Sequence, residues 1–179
     1  AGTTGLAYRA EAIEIRLVAK NGEAPGSTDV SYVEKPSISY SSYSSDGWGS
    51  DVSSGAISGV TGKARPINAV KLSLSSNAID GGIAYRVHLS DVGWQDVVSD
   101  NSLAGVSNQS HVVEALQISL TGDISDYFDV WYRVHVEELG WLGWTKNGAK
   151  AGTEGLSRRM EGIQIQLVEK GKTGPTGGG

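Results

Sequence analysis

The chain has 179 residues, 39% hydrophobic and 20% charged, with a net charge of −5 and no cysteine. This is a folding composition, long enough for one sizeable core, and the acidic balance argues against nucleic-acid binding, which needs a basic stripe. Disulfides and thiolate metal sites are excluded, and no apolar run reaches the roughly 18 residues of a spanning helix, so membrane insertion is not expected.

Residues 1–18 read AGTTGLAYRAEAIEIRLV and open the chain in mid-repeat. Ala-Gly or Ser-Gly pairs end at Gly2, Gly59, Gly105 and Gly152. A polar residue follows nine positions later at Glu11, Asn68, Glu114 and Glu161, and a leucine fifteen positions later at Leu17, Leu74, Leu120 and Leu167. Independently, Gly47-Trp48, Gly93-Trp94 and Gly140-Trp141 recur at intervals of 46 and 47 residues, the same intervals that separate the last three glycines of the first set. Two landmark sets with one period define a repeat, and a repeat decides architecture ahead of local propensity. With no initiator Met and a start inside a repeat, the chain is expected to be a processed or excised piece.

Taken in order, 1–18 is the second half of a repeat, and Ile13, Ile15 and Leu17 alternate with Glu14 and Arg16 to predict a half-buried strand over Leu6 to Val18. Residues 19–37, with Asn21, Gly22, Pro25 and Gly26, form an insert or linker. Full copies I, II and III follow at 38–75, 83–121 and 131–168. Their second halves place Val70, Leu72, Leu74; Leu116, Ile118, Leu120; and Ile163, Ile165, Leu167 on one strand face. Their first halves alternate Tyr85, Val87, Leu89 and Tyr132, Val134, Val136 with polar residues. In copy I the Trp interval puts Ser39, Ser41 and Tyr43 at the matching positions, so that strand is expected to be the most solvated of the three. Asp46-Gly47, Asp100-Asn101 and Asn147-Gly148 are turn dipeptides suited to hairpins. Residues 169–179 read as a flexible tail.

Arg159 and Glu161 share parity with the apolar face, as do Arg9 and Glu11. A bulge near Ala12 and Gly162 that turns them outward resolves this, with a charge pair at the core edge as the alternative; Ala12, Ala69, Ala115 and Gly162 are small enough for a close backbone approach there. The expected fold class is all-β, with three copies closing around a pseudo-threefold axis as a β-prism-like assembly. Closure lets single units share a core and leaves few exposed edges. A β-trefoil or a linear array of small β units is the alternative.

Chemistry is harder to place. His88, His111 and His135 are the only histidines and read as outward strand residues, so no metal or cofactor is expected. The chain has no Gly-x-Ser-x-Gly elbow and no cysteine nucleophile, and Glu137-Glu138, adjacent on a strand, point to opposite faces. The chain is therefore expected not to be an enzyme. Trp48, Trp94 and Trp141, present in every copy, are read first as core and second as stacking platforms for a sugar ring. Trp131 and Trp144 occur in copy III alone, so no shared folding need explains them, and Trp144 with Lys146 and Asn147 on the same turn is the leading surface contact. Arg159 and Glu161 complete the candidate ligand-binding set, with a structural pair as their alternative.

The order Tyr-Arg-Val-His-Val, Gly-Trp-Leu-Gly-Trp, Lys-Asn-Gly, Ala-Gly-Thr-Glu-Gly-Leu and Arg-Arg-Met-Glu-Gly-Ile-Gln-Ile-Gln-Leu in copy III resembles the clostridial hydrophobic repeat with a characteristic Trp, the ChW repeat. Copy I departs from the pattern, with Pro66 and Asn68 at motif positions and no Tyr-Arg-Val-His strand. The resemblance implies a secreted or cell-surface protein of clostridia or related Gram-positive bacteria. It also implies a non-catalytic module that attaches to a glycan or to a host or cell-wall protein.

Overall fold

A computed structural model describes residues 2–4, 8–27, 29 and 31–177. A two-stranded parallel ladder of β1 (Thr3–Thr4) and β2 (Val33–Glu34) precedes the repeats. Copy I comprises β3 (Ser37–Ser44), β4 (Gly47–Trp48), β5 (Val52–Ser53), β6 (Ser58–Gly59) and β7 (Ala69–Ser75). Copy II repeats this as β8 (Gly82–Leu89), β9 (Gly93–Trp94), β10 (Val98–Ser99), β11 (Ala104–Gly105) and β12 (Val113–Thr121). One helical turn, α1 (Ile124–Tyr127), leads into copy III: β13 (Phe128–Val136), β14 (Gly140–Trp141), β15 (Thr145–Lys146), β16 (Ala151–Gly152) and β17 (Met160–Glu169).

Each copy pairs its two long strands antiparallel and lays two short strands against the first of them. The remaining short strand leaves its own copy. β11 of copy II pairs with β7 of copy I, β16 of copy III with β12 of copy II, and β6 of copy I with β17 of copy III. Three five-stranded antiparallel sheets are thus linked in a closed cycle, a β-prism-like arrangement. A linear array would leave copies I and III unpaired, and a trefoil would join the long strands in one barrel.

The core is the inner face of all six long strands, including Tyr40, Leu72, Tyr85, Val87, Leu116, Ile118, Tyr132, Val134, Ile163 and Ile165. Burying an Ile or Leu side chain contributes about 1.5–3 kcal/mol, so this shared face is the main source of cohesion. The three tyrosines repeat the cycle in hydrogen bonds. The Tyr40, Tyr85 and Tyr132 hydroxyls donate to the carbonyls of Ala56, Ser102 and Ala149 in their own copies. Each accepts from an amide of the preceding copy: Ile165 at 3.0 Å, Leu72 at 3.1 Å and Ile118 at 3.1 Å.

The Ala-Gly and Ser-Gly landmarks mark where the exchanged strand touches its host. A Cβ on Gly59, Gly105 or Gly152 would meet the carbonyl oxygen of Glu161, Asn68 or Glu114 at 2.2–2.4 Å, and φ is positive at all three. The small residues Ala69, Ala115 and Gly162 lie directly beneath, the close approach their size predicts.

Three expectations need correction. β3 does bury less apolar surface than β8 or β13, but its buried residues are Ile38, Tyr40, Ser41 and Ser42, so Ser39 and Tyr43 do not hold the matching apolar positions; Ser42 Oγ lies 2.9 Å from Ser58 Oγ. Tyr43 pairs with Trp48 as His88 pairs with Trp94, but five residues separate the first two and six the second, so counting back from Trp48 lands on the wrong face of the pleat.

The strand expected over Leu6 to Val18 is absent from 8–18, where Ile13 is 85%, Ile15 81% and Leu17 101% exposed; Leu6 and Ala7 lie outside the described residues. The sequence holds four second halves and three first halves, and each first-half strand is already paired with its own second half.

The tail is the third correction, since it does not run free. After a turn at Gly171 it folds back, and Gly174 packs against the Trp131 ring; Gly178 and Gly179 lie outside the described residues.

Candidate functional site

None of the repeated tryptophans joins the core. Trp48 is 38% exposed, and Trp94 and Trp141 are half-buried on the outer faces of their sheets. A positive-φ glycine (Gly47, Gly93, Gly140) turns the chain after each first long strand and sets the following Trp opposite Tyr43, His88 or His135. All three aromatic pairs meet edge to face at 5.5 Å between centroids. That geometry suits the ring quadrupoles and adds to simple area burial.

A cation lies over each indole. Arg86 is 4.9 Å from Trp94 and Arg133 is 4.7 Å from Trp141, while in copy I Lys71 is 4.8 Å from Trp48. The arginines come from the first long strand and are held by a glutamine opposite: Arg86 Nε donates to Gln117 and Arg133 Nε to Gln164, both at 2.8 Å. The glutamines in turn donate to Gly148 and Gly55 of the neighbouring copy. Copy I has Ser41 at the arginine position and Lys71 at the glutamine position, which face each other in register, so the cation arrives from the opposite strand. Cation–π pairing of this kind contributes about 0.5–1 kcal/mol at exposed sites.

Beneath the aromatic pairs lie buried polar residues. The strands shift register at Glu114 and Glu161, so the bulge is present, but both side chains are buried and do not turn outward. Glu161 Oε2 accepts from the Gly62 amide at 3.0 Å, its Oε1 accepts from Arg159 Nε at 3.1 Å, and His135 Nδ1 lies 3.4 Å away. Glu114 Oε2 accepts from Gly155, with His88 Nδ1 at 3.1 Å. Asn68 donates from Nδ2 to the His111 carbonyl. Each of these side chains fastens the loop that follows a strand borrowed from another copy. Glu161 and Arg159, which also pairs with Glu137, are therefore structural in position. His88 and His135 face away from the core, yet they are packed under Trp and largely covered.

The Trp94 surface is built from two copies. Lys150 of copy III lies 5.7 Å from that ring and forms an ion pair with Glu154 at 2.6 Å. This hydrogen bond holds the Glu154 carboxyl below the usual carboxylate range, and the Trp94 indole adds to the effect. Beside Trp48, a groove of about 280 Å³ is lined by Ser42, Ser44, Asp46, Ser50, Ile57 and Val60.

The copy III candidates lie on the sheet of β13 and β15. Lys146 pairs with Asp129 at 2.7 Å and sits 5.0 Å from the Trp131 ring, and Asn147 donates to Asp129 at 2.8 Å. Burial pushes the Asp129 carboxyl up, but hydrogen bonds from Lys146, Asn147 and Lys170 outweigh it and bring it down to about 2. Trp144 lies 4.9 Å from the Arg133 guanidinium, and its indole donates to the Gly177 carbonyl at 3.0 Å. Sequence reasoning missed Lys71, Arg86, Arg133 and the two glutamines. The recurrence of Arg86 and Arg133 at one period is their visible signal, and it coincides with the polar half of an ordinary strand alternation.

Among the described residues, no group of three or more His, Asp or Glu side chains is arranged to hold a metal ion. No helix there is long and apolar enough to cross a membrane. Residues 88–122 and 135–169 match the family described as Clostridial hydrophobic W, ChW, at two tandem positions. Each match starts at the histidine beneath the Trp and ends at or just after the second long strand of copies II and III. Comparison with curated proteins and with solved structures returns no match.

Proposed function

We propose that this chain is a non-catalytic binding module of an extracellular or cell-surface protein and that its ligand is a glycan. The observation that carries this reading is the Trp48 groove, where an exposed indole shares the lining with Ser42, Ser44, Ser50 and Asp46, whose carboxylate also pairs with Arg65. Apolar C–H faces of a sugar stack on such a ring while hydroxyls bond to the polar floor. Trp94 and Trp141 repeat the platform in a more covered form, so the module offers one open and two narrower contacts. Similarity of two copies to the ChW repeat supports a surface location and an adhesive role.

A glycan array followed by titration calorimetry on the purified chain tests this. Binding of at least one glycan that Trp48→Ala weakens about tenfold is the expected result. No glycan binding, together with retained affinity for a cell-wall or host protein, would replace the glycan with a protein ligand.

A further inference from the structure

Trp131 and Trp144 are peculiar to copy III, and copy III is where the chain's own tail is seated. Gly174 lies against the Trp131 indole so closely that a Cβ there would fall 2.6 Å from the ring. Three residues on, the Gly177 carbonyl accepts from Trp144 Nε1 at 3.0 Å and from Arg133 Nη1 at 2.8 Å. Gly177 has φ +95, a conformation that excludes most side chains. Between them, Pro175 fixes its own φ and favours an extended backbone, and Thr176 is exposed.

Every feature by which the groove holds this segment belongs to the backbone or to the absence of a side chain. Gly174 gives room over one indole, Pro175 stiffens the chain, and Gly177 presents a carbonyl to an indole N–H and a guanidinium. Aromatic grooves that read extended proline-containing segments use this chemistry, because a stiff strand loses little entropy on docking. The corresponding surface of copy II keeps Arg86 and Gln117 but has Ala84 and Val97 in place of the two tryptophans, and it forms an open pocket with Gly148 at its edge.

We infer that the outer face of copy III, formed by Trp131, Arg133 and Trp144, is a binding site for extended Gly-Pro-x-Gly peptide segments. Residues Gly174–Gly177 occupy it in cis and compete with a segment supplied by another chain. This site is separate from the Trp48 groove and does not depend on the glycan reading.

Gly174→Val in the full chain tests it. The variant should release the tail and shift the Trp144 indole N–H resonance, with the melting temperature of the core retained. Adding the peptide Lys-Thr-Gly-Pro-Thr-Gly in trans should then return that resonance towards its wild-type position. A peptide with valine at the first glycine should bind about tenfold more weakly or worse, and Trp144→Ala placed in the same variant should abolish binding. Gly177→Val gives a second route to release, through backbone strain. The inference fails if neither glycine variant moves the Trp144 resonance. It also fails if the resonance moves and millimolar peptide does not restore it, or if Trp144→Ala binds the peptide as well as its parent.

Discussion

The backbone amide of Ile165 donates to the hydroxyl of Tyr40 at 3.0 Å, joining the last long strand to the first across 125 residues. That hydroxyl also donates to Ala56, so one oxygen serves both copies at the closing seam. Tyr40→Phe leaves a buried amide and a carbonyl without partners, and an unsatisfied buried group costs about 1–3 kcal/mol. Urea denaturation should show a loss in that range; a change below about 0.5 kcal/mol would mean that water or a shifted strand replaces the bond.

The same three tyrosines make the fold sensitive to alkali. Burial pushes Tyr40 up to about 12, and burial also raises Tyr85 and Tyr132. A raised pKa means the folded state favours the neutral phenol. The contribution to stability is complete below the unfolded value of 10.0 and declines as pH rises towards 12. Tyrosinate absorbance from the buried rings should therefore appear together with loss of the β signal in circular dichroism. Ionisation of those rings with the fold intact would contradict this.

Asp129 gives the acid counterpart. Its carboxyl is lowered from 3.8 to about 2, so the native state favours the charged form. The contribution is present above the unfolded value and disappears as pH falls through about 2, and the difference corresponds to about 2 kcal/mol at neutral pH. Asp129→Asn should cost roughly this amount or less at pH 7, because the lysines that flank it are half exposed. The gap between variant and parent should close near pH 2, and a gap that persists there would assign the loss to packing.

The fold was legible because period and parity report on what every copy must do. The Gly59, Gly105 and Gly152 spacing marks the exchanged strands, and alternation in Leu116, Ile118 and Ile163, Ile165 marks the core face. Recurrence misleads where it is equated with burial. Trp48, Trp94 and Trp141 recur because each builds the same outer cluster with a cation and an aromatic partner. Tyr40, Tyr85 and Tyr132 hold the core at one place in all copies, but the shorter turn of copy I displaces Tyr40 by one residue from the Trp register. Trp131 and Trp144 were legible as peculiar to one copy, while their covering segment was not, since glycines and a proline carry no pattern that names a groove.

Glycine substitutions separate two causes of glycine usage in this chain. Gly152 needs both its φ of +120 and the missing Cβ, which would meet the Glu114 carbonyl at 2.2 Å. Gly140 has φ +75 in open space. Gly140→Ala should cost about 1–2 kcal/mol from backbone strain alone. Gly152→Ala should exceed it by at least 1 kcal/mol, because β16 must lift from β12. Equal losses in thermal melts would show that the exchanged strand yields without penalty.

The leading segment and β17 share one motif and should respond in opposite ways. Ile165→Ala removes a fully buried side chain from the shared core and should cost about 2–5 kcal/mol. Ile13 and Leu17 occupy the corresponding apolar positions of residues 1–18 but stand in solvent, so the double change Ile13→Ser, Leu17→Ser should alter stability by less than about 0.5 kcal/mol. It should also reduce self-association, since an exposed alternating apolar stripe pairs readily with other strands. A stability loss above 1 kcal/mol in the double variant would place these residues against the core.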